Sequence, residues 1–315
     1  MRIVVLFNSL SGRGRAAQAA LGIEHALAGA GYEPERVEAG STLRGADLAQ
    51  LLRDAGGADA ALVVVGGDGT VQSTAQAARA AGTPIYHYPM GTENLFARNF
   101  GMRRDVGHLL EAVTRHQTRR AAGEAAWSVD VGVCNERDFL IMASVGFDAN
   151  VVHRLARARK GRISHMSYVR HIAAECIAPS AAAMTVRMDG KEVVSGRKGL
   201  AVVANSKHYA MRANPAFDAE LTDGLLDLCF MPTRHPLTGM LWLQRAKWGL
   251  HKRSHGVVHA RGARVEIETI DRAAPFQLDG EAPGPLTNGA AHAAATTPMT
   301  MSVQAGVLPV LVPPL

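Results

Sequence analysis

Apolar and polar positions divide the chain into two halves with different rhythms. In the first half, short unbroken apolar runs alternate with segments whose apolar residues return every three or four positions. "RIVVLF", "ADAALVVVGG" and "TPIYHYPMG" belong to the first kind, with "PERVEAG" a weaker member. Such runs are too short for helices and too uniformly apolar for half-exposed strands, so they predict strands buried on both faces. "GRAAQAALGIEHALAGAG", "RGADLAQLLRDAGG" and "GTVQSTAQAARAAG" carry the helical period, and glycines close each of them. "ENLFARNFG" predicts a short fourth helix. Strands and helices alternating with short connections predict an α/β domain built on a doubly wound parallel sheet. Ligands on such sheets bind beyond the C-terminal ends of the strands.

After about residue 125 the rhythm changes to short strands and tight turns. "WSVDVGVCNERDFLIMASVGFDA" reads as two strands around a polar turn at Asn135-Glu136, and "MTVRMDGKEVVSG" as a hairpin turning at Asp189-Gly190. "GLAVVANS", "GLLDLCFM" and "RVEIET" add strands, while "RISHMSYVRHIAAECIA" and "PLTGMLWLQRAKWGLHKR" predict helices. The expectation is therefore two domains, residues 1–125 and a mainly antiparallel domain over 126–315. The Ala-, Gly- and Pro-rich residues 282–298 predict a surface loop. The closing "VLPVLVPP" predicts an edge strand or packed tail, with a return to the first domain allowed.

Composition narrows the partners. The 315 residues are 47% hydrophobic and 20% charged with a net charge of +6, which describes a globular chain whose surface favours anions. Nucleic acid, anionic lipid and phosphorylated small molecules share that sign, but no aromatic-basic ribonucleoprotein motif or recognition helix supports nucleic acid. Cys134, Cys176 and Cys229 form no CxxC pair, which argues against a disulfide framework and for a reducing, cytoplasmic compartment. No apolar run approaches the roughly 20 residues that span a bilayer.

The chemistry concentrates at three strand ends. "VVVGGDGTVQST" runs from a buried strand through Gly66, Gly67, Asp68, Gly69 and Thr70 into a helix beginning near Val71 and Gln72. Glycines there let backbone approach phosphate oxygens, and N–H groups at a helix start point at the same charge. Asp68 stands where a magnesium ion would need a carboxylate. No Walker G-x-x-x-x-G-K-[ST] sequence occurs. "NSLSGRGR" adds Asn8, Ser9, Leu10, Ser11 and Gly12, and "PMGTENLFARNFG" adds Gly91, Thr92 and Asn94. Three glycine- and hydroxyl-bearing loops on one sheet edge point to a nucleotide more strongly than any one of them.

The order N-x-x-SG, GGDGT, PxGTxN-x-FAR resembles the diacylglycerol kinase catalytic-domain superfamily, which includes soluble bacterial diacylglycerol kinases, YegS-like lipid kinases and sphingosine kinases. The resemblance continues through "FLIMASVGFDANVV", "LTDGLLDLCF" and "QLDGE". It implies an N-terminal domain like those of phosphofructokinase and NAD kinase, a β-sandwich second domain, ATP and Mg2+ as cofactors, and a lipid acceptor. ATP phosphates would lie against Asn8 to Gly12, Gly66 to Gln72, Thr92 and Asn94, with Thr42 near the nucleotide. Glu281 would be the proton acceptor, with Asp279 beside it and Asp68 managing the phosphate-bound metal. Asp223 with the main chain of Leu226 and Leu228 would form a structural magnesium site. Three departures stand out: Ser9 in place of the usual proline, Leu95 in place of the usual aspartate, and "KHYAMR" where a glycine-rich stretch is usual. They leave open a soluble-substrate kinase of NAD kinase type and a catalytically weak nucleotide-binding regulator.

Secondary signals remain. His251, His255 and His259 recur every four residues, and exposed helix-end and strand positions are the favoured reading. Arg154, Arg157, Arg159, Lys160 and Arg162 form a basic cluster, while Trp242 and Trp248 stand among Arg245, Lys247, Lys252 and Arg253. Both suit peripheral contact with an anionic membrane face. A homodimer is compatible with everything above.

Overall fold

The computed structural model describes residues 1–40, 45–158, 171, 173, 175, 181–283 and 295–314. Thr42, Arg159, Lys160, Arg162, Cys176 and most of the loop expected over 282–298 lie outside the described residues. The chain forms two compact units, residues 1–130 with 306–315, and residues 131–305.

In the first unit, β1 (Arg2–Phe7), β2 (Glu33–Glu38), β3 (Ala61–Gly66) and β4 (Ile85–Pro89) make a parallel sheet in the order β2-β1-β3-β4. Every residue of β3 is buried, and all of β1 but Arg2, because helices cover both faces of the central strands. The connecting helices are α1 (Ala16–Gly29), α2 (Gly45–Asp54) and α3 (Asp68–Ala81), followed by the short α4 (Leu95–Asn99). A further helix, α5 (Val106–Ala121), occupies a stretch to which the sequence pattern assigned nothing. Val310 pairs with Ile85 alongside β4, so the tail packs as part of this unit.

The second unit is antiparallel. β5 (Ser128–Cys134) and β6 (Arg137–Phe139) turn at Asn135 and Glu136, both at positive φ. β7 (Met142–Val145) leads into α6 (Phe147–Arg157). β8 (Ala183–Met188) and β9 (Lys191–Ala204) form the Asp189-Gly190 hairpin. The long β9 serves two sheets. Its first half pairs with β8, and its second half with β7 and β10 (Leu226–Pro232). β11 (Val258–Gly262), β12 (Arg264–Thr269), β13 (Phe276–Leu278) and β14 (Met299–Pro309) complete the set. Val145, Val186, Val203, Phe230, Ile267 and Phe276 belong to one apolar core joining the two sheets.

The helix expected through residue 253 is shorter. α7 spans Pro236–Lys247, and Gly249 at φ +69 reverses the chain. His251 is therefore off the helix, and the four-residue histidine spacing loses its helical meaning.

Candidate active site

The three glycine loops converge at the C-terminal ends of β1, β3 and β4. The reason for their glycines is internal to the protein. A Cβ on Gly91 would lie 2.8 Å from Gly67 Cα, and one on Gly66 would lie 2.6 Å from Thr70 Oγ1. Loop meets loop where the sequence pattern expected only a ligand. Met90 N–H donates to Gly66 O at 2.7 Å, and Asn8 Nδ2 approaches Thr70 Oγ1 at 3.5 Å. Asn94, in the left-handed region at φ 51, accepts from Gly91 N–H and donates to Gly91 O, closing its own turn. Its side chain is a loop brace.

Asp68 links the last two loops. Its Oδ1 accepts Phe96 N–H at 3.0 Å. Gly67 is the N-cap of α3 and no side chain caps the helix; Thr70 N–H is taken by Gly67 O, which leaves the N–H groups of Asp68 and Gly69 for a ligand or solvent. Below them His87 is fully buried, with Nε2 2.9 Å from Gly66 O. A carbonyl only accepts, so Nε2 carries the proton. Burial holds the imidazole pKa below its usual value, against the pull of the Asp68 charge. Leu95 is buried, so the position where the family usually has aspartate is part of the core. Val71 is likewise a core residue and offers a ligand only its main chain, whereas Leu10 is well exposed.

In the second unit, "LDGE" is a two-residue hairpin turn. Leu278 and Glu281 exchange backbone hydrogen bonds, and Asp279 and Gly280 take φ of 51 and 84. Both central residues at positive φ define the type I′ turn that Asp-Gly favours. Asp279 folds inward: Oδ2 accepts Leu140 N–H at 2.7 Å, and Oδ1 accepts Ile141 and Met142 N–H at 2.8 and 2.9 Å. That carboxylate is an anchor for the strand below it. Glu281, next along, is only half-buried.

A polar chain runs up to this turn. Tyr209 Oη donates to Asp148 Oδ2 at 2.5 Å, and Ser144 Oγ donates to the same oxygen at 2.5 Å. Gln277 Nε2 donates to Ser144 at 2.7 Å, and Gln277 Oε1 accepts Gly280 N–H at 2.6 Å. Burial raises the Asp148 pKa, opposed by the bonds from Ser144 and Tyr209. Tyr209 is pushed well above its usual value by burial and then by the Asp148 charge. Tyr209 comes from the divergent "KHYAMR" stretch, and Asp148 from "GFDANVV". The sequence displayed both stretches without assigning either residue.

Asp223 does not fit the magnesium role as it stands. Its Oδ1 accepts Leu225 N–H at 3.0 Å, and its Oδ2 is bound by Arg261. The same guanidinium lies 3.1 Å from Asp227 Oδ1 and donates to Asp218 O at 2.9 Å. Leu226 and Leu228 sit inside β10, which β9 and β11 flank. An internal arginine supplies the positive charge there. Arg154, in the basic cluster, is paired at 3.1 Å with the buried Glu175.

A cavity of about 760 Å³ lies elsewhere in the second unit, with Arg197, Lys198 and Arg234 in its wall. None of the residues singled out from the sequence lines it.

Residues 2–123 match the diacylglycerol kinase catalytic domain, and residues 141–312 match the YegS C-terminal NAD kinase beta sandwich-like domain. The chain belongs to the diacylglycerol kinase catalytic-domain superfamily, a family of lipid kinases. A diacylglycerol kinase of Mycobacterium tuberculosis is 27% identical over 287 residues, covering 90% of this chain and 86% of that one. An uncharacterized protein of Synechocystis, sll0036, is 25% identical over 185 residues; the match covers 59% of this chain but only 41% of that protein's length. The crystal structure of a diacylglycerol kinase from Bacillus anthracis superposes with a TM-score of 0.66 at 16% identity, covering 99% of this chain and 97% of that one, which shows a shared fold.

Proposed function

We propose that the chain is an ATP-dependent kinase that transfers the γ-phosphoryl group to the hydroxyl of a diacylglycerol-like or sphingoid lipid. The observation that carries this reading is the convergence of three strand-end loops on the uncapped N-terminus of α3, with Asp68 spanning two of them. Backbone N–H groups at that helix start receive phosphate oxygens. Asp68 fits a divalent ion: only Oδ1 is used by Phe96, which leaves Oδ2 for a magnesium ion carried by ATP. When bound, that ion would neutralise charge on the phosphates. Glu281 orients the lipid hydroxyl and takes its proton as the new oxygen–phosphorus bond forms and the bond to ADP breaks. The Gln277–Ser144–Asp148–Tyr209 chain fixes the turn that presents Glu281, while Asp279 holds the turn to its strand.

The surface of α7 supports access to a lipid. Leu237, Leu241 and Trp248 are 58–78% exposed and share one helical stripe, Leu250 follows at 60%, and Arg245, Lys247, Lys252 and Arg253 lie in the same stretch of chain. Exposed apolar side chains interspersed along the chain with cations suit an anionic membrane surface. Trp242 is not part of the stripe, since its indole N–H donates to Pro232 O and anchors the helix inward.

The test is incubation with γ-labelled ATP, magnesium and a mixed lipid extract in detergent, beside a water-soluble metabolite extract. Label entering the organic phase is the expected result. Label only in the aqueous phase would replace this reading with a soluble acceptor. ATP binding without transfer would replace it with a regulatory role.

A further inference from the structure

We propose that Cys229, His251 and His259 form a zinc site in the second unit, with chemistry separate from phosphoryl transfer. Cys229 is in β10 and His259 stands directly opposite it on β11. His251 reaches the same place because Gly249 reverses the chain after α7 and returns the imidazole to the sheet, where it is fully buried. One donor atom from each residue lies within 4.8 Å of the other two. The histidine rings are 5.5 Å apart and tilted by 56°, and Phe217 stacks on His251 at 5.8 Å.

The protonation of His251 is consistent with that cluster. Its Nε2 is 2.8 Å from Pro215 O, and that carbonyl can only accept, so Nε2 holds the proton. Nδ1 is then a bare lone pair, buried and without a hydrogen-bond partner. Metal-binding histidines show this arrangement, with one nitrogen donating to a carbonyl and the other on the ion. His87 also leaves Nδ1 without a partner while Nε2 meets a carbonyl, so what distinguishes His251 is the company of Cys229 and His259. Zinc–sulfur bonds of about 2.3 Å and zinc–nitrogen bonds of about 2.0–2.1 Å place tetrahedral donors roughly 3.3–3.6 Å apart. Binding requires the three donors, within 4.8 Å of one another, to close to that separation. A thiol and two imidazoles favour zinc over magnesium or calcium, which prefer oxygen.

His259 is exposed, which gives the ion an entry path and water the fourth position. Binding replaces the Cys229 sulfur–hydrogen bond with a sulfur–zinc bond and releases that proton to solvent. Burial pushes the unliganded thiol to about 12, so little thiolate exists before the metal arrives. The ion would tie β10, β11 and the segment after α7 together, just beyond the exposed Trp248 and Leu250. His255, the third histidine of the four-residue spacing, is not among the donors.

The test uses the full chain, stripped with a chelator and titrated with Co2+, then Zn2+. One equivalent of cobalt is expected to give a thiolate-to-cobalt charge-transfer band that zinc abolishes, and zinc is expected to raise the unfolding temperature. Cys229 is buried, so the exposed His259→Ala variant carries the decision, with its folding checked by circular dichroism. Loss of an outer-sphere partner alone weakens such sites about 10–100-fold, so losing His259 is expected to weaken cobalt binding at least 100-fold. His255→Ala is expected to leave it unchanged. A folded wild-type chain with no charge-transfer band would overturn the proposal. So would a band that survives His259→Ala unaltered or disappears with His255→Ala.

Discussion

Replacing Asp279 with alanine strips the shared acceptor from the N–H groups of Leu140, Ile141 and Met142. A buried donor left without a partner costs about 1–3 kcal/mol. Because one oxygen serves two of the three donors and water can reach a vacated turn, the lower part of the summed range applies, about 3–5 kcal/mol. Alanine also has to hold the positive φ of this position, which adds about 1 kcal/mol. A domain of this size has about 5–15 kcal/mol in all, so the variant is marginal or unfolded. Asp279→Asn is the sharper perturbation. Its amide oxygen can still serve Ile141 and Met142, while its NH2 group meets the Leu140 N–H, so one bond is lost at about 1–3 kcal/mol. Urea denaturation should show the midpoint falling with an unchanged slope. The folded Asn variant should keep lipid kinase turnover within about tenfold, below the 100-fold or more expected when an acid–base group is removed. An Asn variant as stable as wild type, yet without turnover, would show that the carboxylate acts in the chemistry and that the anchoring argument is wrong.

Gly91→Ala puts a Cβ 2.8 Å from Gly67 Cα, and overpacking of about 1–3 kcal/mol is expected to weaken ATP binding roughly 5- to 150-fold by calorimetry; unchanged affinity would mean that the loop contact is not part of the site. Burial lowers the pKa values of His87, His116 and His153 below 6.5. The unfolded chain therefore binds protons first, and stability is expected to fall as pH drops from 6.5 toward the folded values. His87→Gln should flatten part of that slope in denaturation curves taken between about pH 7.5 and 5. Tyr209→Phe removes a donor to the buried Asp148 and is expected to cost about 1–3 kcal/mol in the same assay. Asp148 has a raised folded pKa, so its contribution to stability is present below 3.8 and lost as pH rises through that folded value. Losing Tyr209 should carry the loss to higher pH.

The parallel sheet was legible because β1, β3 and β4 are nearly unbroken apolar runs, and burial on both faces demands that pattern. α5 was not legible because its buried face is Leu109, Ala112, Val113 and His116, a stripe too thin and too polar to stand out. The order of the glycine loops pointed to the candidate nucleotide site, but the purpose of Gly91 depends on a contact across loops, and that of Gly66 on the packing of Thr70 back against it, neither of which a linear pattern displays. Asp279 shows the same limit. Its position beside Glu281 implied catalysis, whereas its three backbone bonds come from residues far along the chain. The exposed positions expected for the three histidines hold for His255 and His259 but not for His251, because Gly249 ends the helix and returns that ring to the sheet, where the register of β10 with β11 also sets Cys229 against His259.

The most direct measurement compares wild type with Glu281→Gln for transfer of label from γ-labelled ATP into lipid, with ATP affinity measured in parallel. Removal of a positioned acid–base group costs about 10²–10⁴-fold. The expected result is a fall in kcat of at least 100-fold with ATP affinity unchanged. Turnover within threefold of wild type, or no lipid labelling by wild type itself, would contradict the account.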